Sequence, residues 1–265
     1  MKDRPFYLKS RWFLLAVLFL TAAAWTHRFF YEPPVLMYHH VGVSEGHSGE
    51  FVSPEAFERQ MEFLKVHRYR VIGFSQLVRE IKEGAALPAK TVCITFDDGN
   101  LDNFRYAFPI LKKMGFPATL FMITANIDRQ GWLSGEDLKI LDDSGITIGS
   151  HTVNHAFLPN DTPEEIKKEL EESKGTLEGL LKHPVGLFSY PAGGVTPAIE
   201  RQVGEAGYEG AATTNYGKDR RDPYAVHRIK IGESSGNLFH FWVKTSGYAY
   251  LGKKRVTAKG SPDED

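Results

Sequence analysis

The chain has 265 residues, with 32 lysines and arginines against 33 aspartates and glutamates and a formal net charge of -1. That length suits one large α/β domain or two small ones, and the charge balance argues against a nucleic-acid-binding surface spread over the whole protein. The single cysteine, Cys93, excludes an intrachain disulfide and reads as a small core residue.

Residues 1–11 form a basic tail, with Lys2, Arg4, Lys9 and Arg11 against Asp3. Trp12 to Thr26 carries no charge, and Arg28 follows. A basic flank, an apolar run and a short polar exit make an export signal. Residues 12–27 are therefore expected to be a transmembrane signal-anchor or a signal peptide. Ala22-Ala23-Ala24 fits a cleavage site, and a buried soluble helix is the third reading. Either export reading places the rest of the chain outside the cytoplasmic membrane, anchored in it or secreted. Residues 28–33 read as a linker.

Val35 to Tyr38 predicts a first core strand ending at His39-His40. Ser53-Pro54 opens a helix to about Lys65, with Ala56, Phe57, Met61 and Leu64 at helical spacing. Tyr69 to Gly73 predicts a strand, and Ser75 to Glu83 a helix closed by Gly84. Thr91 to Phe96 is a buried strand that stops at Asp97-Asp98-Gly99. Next come a helix from Asn103 to Met114, a strand from Ala118 to Ile123 and a helix from Gly135 to Ser144. A strand from Ile146 to Gly149 ends at Ser150-His151. Pro163 to Leu181 is a long, charged outer helix. A strand from Val185 to Tyr190, a helix from Pro197 to Gly207, and strands over Tyr208–Thr213 and Tyr224–Ile231 complete the series. The aromatic group Phe239, Phe241, Trp242, Tyr248 and Tyr250 is expected to close the barrel, and the polar tail 252–265 to be disordered.

Strands alternating with helices demand a parallel sheet covered by helices. About eight short strands favour a barrel, with its site at the carboxyl ends of the strands. Every promising polar group follows a predicted strand: His39 and His40, Asp97 and Asp98, His151 and His155, and Tyr190 to Gly194. Two adjacent carboxylates at the end of a buried strand repel each other and cost desolvation energy, which a bound cation would relieve. The blander reading makes Asp98 the cap of a helix starting near Asn100. His151 and His155 are four apart, and on a helical turn both imidazoles would face one point. With Asp98 they would make the two-histidine, one-carboxylate set of a site that activates water.

Thr95 to Gly99 (TFDDG), Ser150 to His155 (SHTVNH) and the Pro-Ala-Gly within Tyr190 to Gly194 resemble the motifs of polysaccharide deacetylases, the NodB homology domain of carbohydrate esterase family 4. The resemblance spans about Pro34 to Ile231, inside a domain taken as 34–251. It implies an irregular (β/α)7 barrel that removes N-acetyl groups from amino sugars. It further implies Asp97 as general base and Asp98, His151 and His155 as metal ligands. The ligand types favour Zn²⁺, with Co²⁺, Ni²⁺ or Mn²⁺ as alternatives. The family's third motif usually carries an arginine and a tyrosine that are missing here, while Ala192 retains the backbone N–H expected at the oxyanion. Tyr190 is expected to line the substrate site. Val35 to Val41 resembles the branch acting on poly-β-1,6-N-acetylglucosamine, in which an early histidine is the general acid. That points to His39, with His40 or the later His227 as alternatives, and to Arg228 as the replacement arginine beside Asp97.

The expected partners are an N-acetylated glycan and, through residues 12–27, the cytoplasmic membrane; no nucleic acid is expected, and the oligomeric state stays open. Competing readings are a deacetylase of peptidoglycan or chitin-like oligomers, another amide hydrolase on the same scaffold, and a catalytically inactive glycan-binding module. Trp132 reads as packing or as a groove wall, Phe96 as packing, and Asp102 as an acid in the first turn of a helix. His67, His183 and His240 read as surface residues.

Overall fold

A computed structural model of the protein describes residues 12–19, 21, 31–42, 49–85, 87–214, 222–247 and 249. The basic tail 1–11, the cleavage site, the tail 252–265 and residues Tyr248 and Tyr250 lie outside the described residues. The chain divides into two compact units, Met1–Glu32 and Pro33–Asp265. In the first, residues 12–19 are helical and expose Trp12, Phe13, Leu15, Leu18 and Phe19. Among the described residues no helix is long and apolar enough to cross a membrane.

The second unit is built on β1 (Val35–Tyr38) and β5 (Thr91–Phe96), two strands buried along their whole length. Burial on both faces explains why they read as unbroken apolar runs rather than alternating ones. They pair in parallel, with Leu36 opposite Ile94 and Tyr38 opposite Phe96. From β5 the sheet continues in parallel through β6 (Thr119–Met122), β7 (Thr147–Ser150), β8 (Leu187–Ser189) and β9 (Gly210–Thr213). The short β4 (Arg70–Ile72) pairs with β5 off this path, and β2 (His40–Val41) and β3 (Phe51–Val52) form a separate parallel pair.

Closure comes from the last strand, and here the sequence expectation is corrected. Tyr224–Ile231 is not one regular strand but β10 (Val226–His227) and β11 (Ile229–Lys230), interrupted at Arg228. β10 pairs with β9 and β11 pairs with β1, so the chain changes partners at Arg228 and joins the two edges of the sheet. The backbone N–H of Arg228 still donates to Thr213 O, and that of Ile231 donates to Met37 O. The C-terminal aromatic group does not close the barrel. Its helix, Leu238–Thr245, buries Phe241 edge-on against Phe63 but leaves Phe239 64% and Trp242 49% exposed.

The outer helices start where local chemistry says they should. α1 (Pro54–Val66) is capped by the Ser53 hydroxyl, which accepts from the Ala56 N–H, and buries Ala56, Phe57, Met61 and Leu64. α2 covers Phe74–Lys82, one residue earlier at each end than expected. The helix expected over Asn103–Met114 opens as a π turn, Asn103–Ala107, before α3 (Phe108–Met114). α4 (Gly135–Asp143) and α5 (Pro163–Leu181) both begin with reciprocal capping boxes, Ser134 with Asp137 and Thr162 with Glu165. α6 covers Pro197–Glu205.

The Arg228 side chain points into the barrel and is only 1% exposed; its partner Asp97, just past β5, is 3% exposed. Removing one member of a buried pair leaves an uncompensated charge, typically at a cost of about 3–5 kcal/mol. Arg228→Met should therefore destabilise the domain by about that much in denaturant unfolding. Adding Asp97→Asn should recover most of the loss, because the stranded charge disappears. A double variant as unstable as the single one would disprove the pairing as the source.

Candidate active site

β1, β5, β7 and β8 end on one rim and deliver their polar groups there. Asp97 leaves β5 with its N–H donating to Tyr38 O at 2.9 Å. Both its oxygens sit in the Arg228 guanidinium fork, at 2.6 and 2.5 Å. The same guanidinium donates to Ser189 Oγ at 2.8 Å and lies 5.4 Å from the centre of the Phe121 ring. Burial pushes the Asp97 carboxyl up, but Arg228 and His151 outweigh it and hold the group well below the usual carboxylate range. The chain therefore places an arginine beside Asp97 from the junction of β10 and β11.

Asp98 does not cap a helix. It adopts φ 73°, and its carboxylate turns toward His151 and His155. Gly99 follows at φ 90°, where a Cβ would lie 2.0 Å from Met122 Sδ; only glycine permits this turn. Ligand atoms of Asp98, His151 and His155 all lie within 4.8 Å of one another. Asp98 Oδ1 is 3.6 Å from His151 Nε2 and 3.7 Å from His155 Nε2. These separations are too long for hydrogen bonds. They are close to the ligand-to-ligand edge of a tetrahedral zinc shell, about 3.3–3.6 Å for bonds of 2.0–2.2 Å.

The protonation states suit that reading. Burial pushes His151 down to about 3, and burial also lowers His155. Both imidazoles are thus neutral near pH 7, the form that ligates metal, and their contacts with Asp98 are not ion pairs. His151 Nδ1 is 2.8 Å from Ser189 O, so it carries the hydrogen and leaves Nε2 free for a ligand. Burial, opposed by His39 and reinforced by Asp97, pushes Asp98 up to about 6 without a cation. A divalent ion would relieve that cost, and the donor set fits one.

The two histidines do not converge through a helical turn, as their spacing suggested. Residues 151–155 form an irregular turn with Thr152 at φ 66° and His155 at φ 58°. Glu169 of α5 holds it by accepting from the Val153 and Asn154 N–H groups at 2.7 and 3.0 Å.

His39 and His40 follow β1 directly. The His39 carbonyl accepts from Asn100 and Asn103 Nδ2 at 3.2 and 3.1 Å, while its buried ring Nδ1 has no hydrogen-bond partner among the described residues. The His40 ring is fixed differently. Its Nδ1 meets Asp102 Oδ2 at 2.7 Å, and its face stacks on Phe51 at 4.2 Å. The hydrogen bond to Asp102 raises the His40 pKa. Asp102 thus serves a rim histidine as well as a helix start. His227 precedes Arg228, and the strand pleat turns its side chain away from the face that Arg228 uses.

Ala192 sits at φ 49°, ψ 18° in the 3₁₀ turn Pro191–Gly193, next to Ser189 and on the same rim. Tyr190 does not line the site with its side chain. It is 1% exposed, packs edge-on against Phe188 and donates its hydroxyl to Tyr224 O. Phe96 packs against Tyr38, and His67, His183 and His240 are exposed, as expected. Sequence reasoning missed Ser189, Asn100, Asn103 and Glu50. Burial raises the Glu50 pKa, but His39 and the ion pair with Lys230, at 3.0 Å, outweigh it and lower the pKa. Ser189 could have been found from its strand alternation; the other three carry no local signal.

The profile of the family "Polysaccharide deacetylase" matches residues 84–211. YxkH of Bacillus subtilis, named provisionally as a polysaccharide deacetylase, is 33% identical over 215 residues, covering 80% of this chain and 76% of YxkH. A poly-β-1,6-N-acetyl-D-glucosamine N-deacetylase of Staphylococcus aureus is 27% identical, covering 69% of each chain. Among solved structures, the Streptococcus pyogenes deacetylase PplD in complex with acetate superposes with a TM-score of 0.74 at 26% identity, covering 81% of this chain and 97% of PplD. Fold, motif order and these relatives agree: the chain belongs to the polysaccharide deacetylase family, carries its NodB homology domain, and is a deacetylase of the hydrolase class.

Proposed function

We propose that this deacetylase is metal-dependent and removes N-acetyl groups from an N-acetylglucosamine-containing polysaccharide outside the cytoplasmic membrane. One observation carries the reading: the convergence of Asp98, His151 and His155 beside an arginine-clamped Asp97. A glycan-binding module without chemistry has no need of a carboxylate base beside three metal-ligating side chains. Asp98, His151 and His155 would hold one divalent ion, Zn²⁺ by donor type. When bound, that ion supplies Lewis acidity for the acetamide carbonyl and for water.

Asp97, kept ionised by Arg228, takes a proton from the attacking water. Arg228 and Ser189 fix the orientation of its carboxylate. The backbone at Ala192 offers an N–H to the developing oxyanion. His39 gives a proton to the leaving amine, a role supported by its place directly after β1 on the rim. The Staphylococcus aureus relative and the opening Val35–Val41 favour a β-1,6-linked polymer. Peptidoglycan and chitin-like oligomers are the alternatives.

Acetate release from β-1,6- and β-1,4-linked N-acetylglucosamine oligomers, compared side by side, tests the activity and its linkage. Release from the β-1,6 series should be faster and should stop on chelation. Asp98→Ala and His155→Ala should each lose the bound metal in elemental analysis; undiminished metal content in both would refute the ligand set.

His39→Ala should lower turnover by about 10²–10⁴-fold, the usual contribution of a general acid, with metal content intact. His227→Ala should be mild. A crippled His227→Ala beside a near-normal His39→Ala would transfer the role to the later histidine.

The extracytoplasmic location rests on the basic residues before Trp12 and the uncharged stretch after them. A periplasm- or exterior-specific reporter fused after Asp265 should be active, and activity of a cytoplasm-specific reporter there would overturn the assignment.

A further inference from the structure

The two histidines that would hold the metal are not equally anchored. A metal-ligating histidine is commonly aimed by a hydrogen bond from its other ring nitrogen. His151 has that support: its side chain is 2% exposed and its Nδ1 meets Ser189 O. His155 has none. Its side chain is 45% exposed, and among the described residues its ring meets only Asp98 Oδ1, through Nε2, and the His151 ring, 4.9 Å away between centres. Its backbone lies at φ 58°, where a residue with a Cβ stays only if its surroundings impose it. Something other than the ring must hold His155 in place.

That support comes through the main chain. The Glu169 carboxylate accepts three hydrogen bonds from the two residues before His155: the Val153 N–H at 2.7 Å, the Asn154 N–H at 3.0 Å and Asn154 Nδ2 at 2.7 Å. It makes no ion pair among the described residues, so both oxygens are given to the turn. From the other side, the Thr124 N–H donates to Thr152 O at 3.2 Å and the Ala125 N–H to Val153 O at 3.0 Å. Thr152 Oγ1 accepts the Ala156 N–H, just beyond His155, at 3.3 Å. α5 is also fastened to the strand that delivers His151. Ser173, one turn after Glu169, donates to Glu169 O at 2.6 Å, and Ser150 at the end of β7 donates to Ser173 Oγ at 2.8 Å. One helix thus refers both histidines to a common frame.

We propose that Glu169 is a positioning residue of the metal site: through the Val153 and Asn154 amides, its carboxylate holds His155 where Nε2 can share one cation with Asp98 and His151. Without it the turn relaxes, His155 moves toward solvent, and the site falls from three protein ligands to two. The proposal rests on the metal-dependent reading above and adds to it a residue outside the ligand set. The role is one of reach and hydrogen bonding, not of charge. An uncharged acceptor of the same length should fill most of it, and a charged one of shorter reach should not.

Metal binding without turnover tests this. Full-length protein in detergent is stripped with a chelator and titrated with Co²⁺, whose visible absorption reports the number and geometry of its ligands. Glu169→Ala should bind Co²⁺ about 10–100-fold more weakly, the usual cost of losing a group that orients a ligand, and its saturated spectrum should match that of His155→Ala. Glu169→Gln should restore most of the affinity, because one amide oxygen can accept both backbone N–H groups. Glu169→Asp should bind weakly, so this pair decides the matter even if Glu169→Ala does not fold. In an His155→Ala background, removing Glu169 should cost nothing further, since the turn then carries no ligand to aim. Undiminished affinity in Glu169→Ala, a Gln variant weaker than the Asp variant, or an equal further loss in the His155→Ala background would each overturn the positioning role. A wild type that binds no Co²⁺ discards the metal reading and the proposal with it. Wild-type binding that Glu169→Ala leaves unaltered discards the proposal alone.

Discussion

Arg228 and Asp97 meet where almost no water reaches, one from the strand that closes the barrel and one from the end of its central strand. Two ions in such a place cost several kcal/mol each in lost hydration. Their bidentate geometry, with Ser189 and Thr95 as further hydrogen-bond partners of the guanidinium, offsets that cost. The arrangement does two things together. It joins β5 to the junction of β10 and β11, and it keeps one of two adjacent carboxylates ionised. Asp98, without that clamp, is left with a carboxylate that burial penalises, and a cation is the natural remedy. The different electrostatic settings of the neighbouring aspartates follow from which of them the arginine can reach.

The rest of the rim is shaped by backbone in uncommon conformations. Asp98, Thr152, His155 and Ala192 all have positive φ without being glycine. Each such residue typically costs about 1–3 kcal/mol, and each lies where a strand has just ended. The surroundings over-determine these turns. Met122 fills the space beside Gly99, Glu169 holds the amides of Val153 and Asn154, and Thr213 Oγ1 donates to Gly193 O. Regular strands bring the groups to one end of the barrel; strained turns then aim them.

That division explains what could be read in the sequence. Buried parallel strands leave a strong signature, so β1, β5, β6, β7 and β9 stand within about two residues of their expected places. The groups following them were legible for the same reason. The aim of each side chain was not. His151 and His155 converge through an irregular turn that their spacing does not encode. Tyr190 was misassigned although strand alternation held the answer: Ser189 faces Asp97, so Tyr190 must face the helices. Asn100, Asn103 and Asp102 act across the barrel rim on residues some sixty positions earlier, and nothing local marks them.

The paired histidines after β1 show how the same residue type acquires two roles from its partners. His39 is held by its carbonyl, through two asparagine side chains, so its imidazole need not serve structure. His40 is held by its ring, between the Asp102 carboxylate and the Phe51 face. A ring fixed on both an edge and a face cannot turn to follow a proton to a departing amine. Its pKa is raised by the hydrogen bond to Asp102. The His39 ring Nδ1, by contrast, meets no hydrogen-bond partner among the described residues. Under the mechanism proposed above, the different anchoring of the two histidines favours His39 as the proton donor and His40 as part of the approach to it.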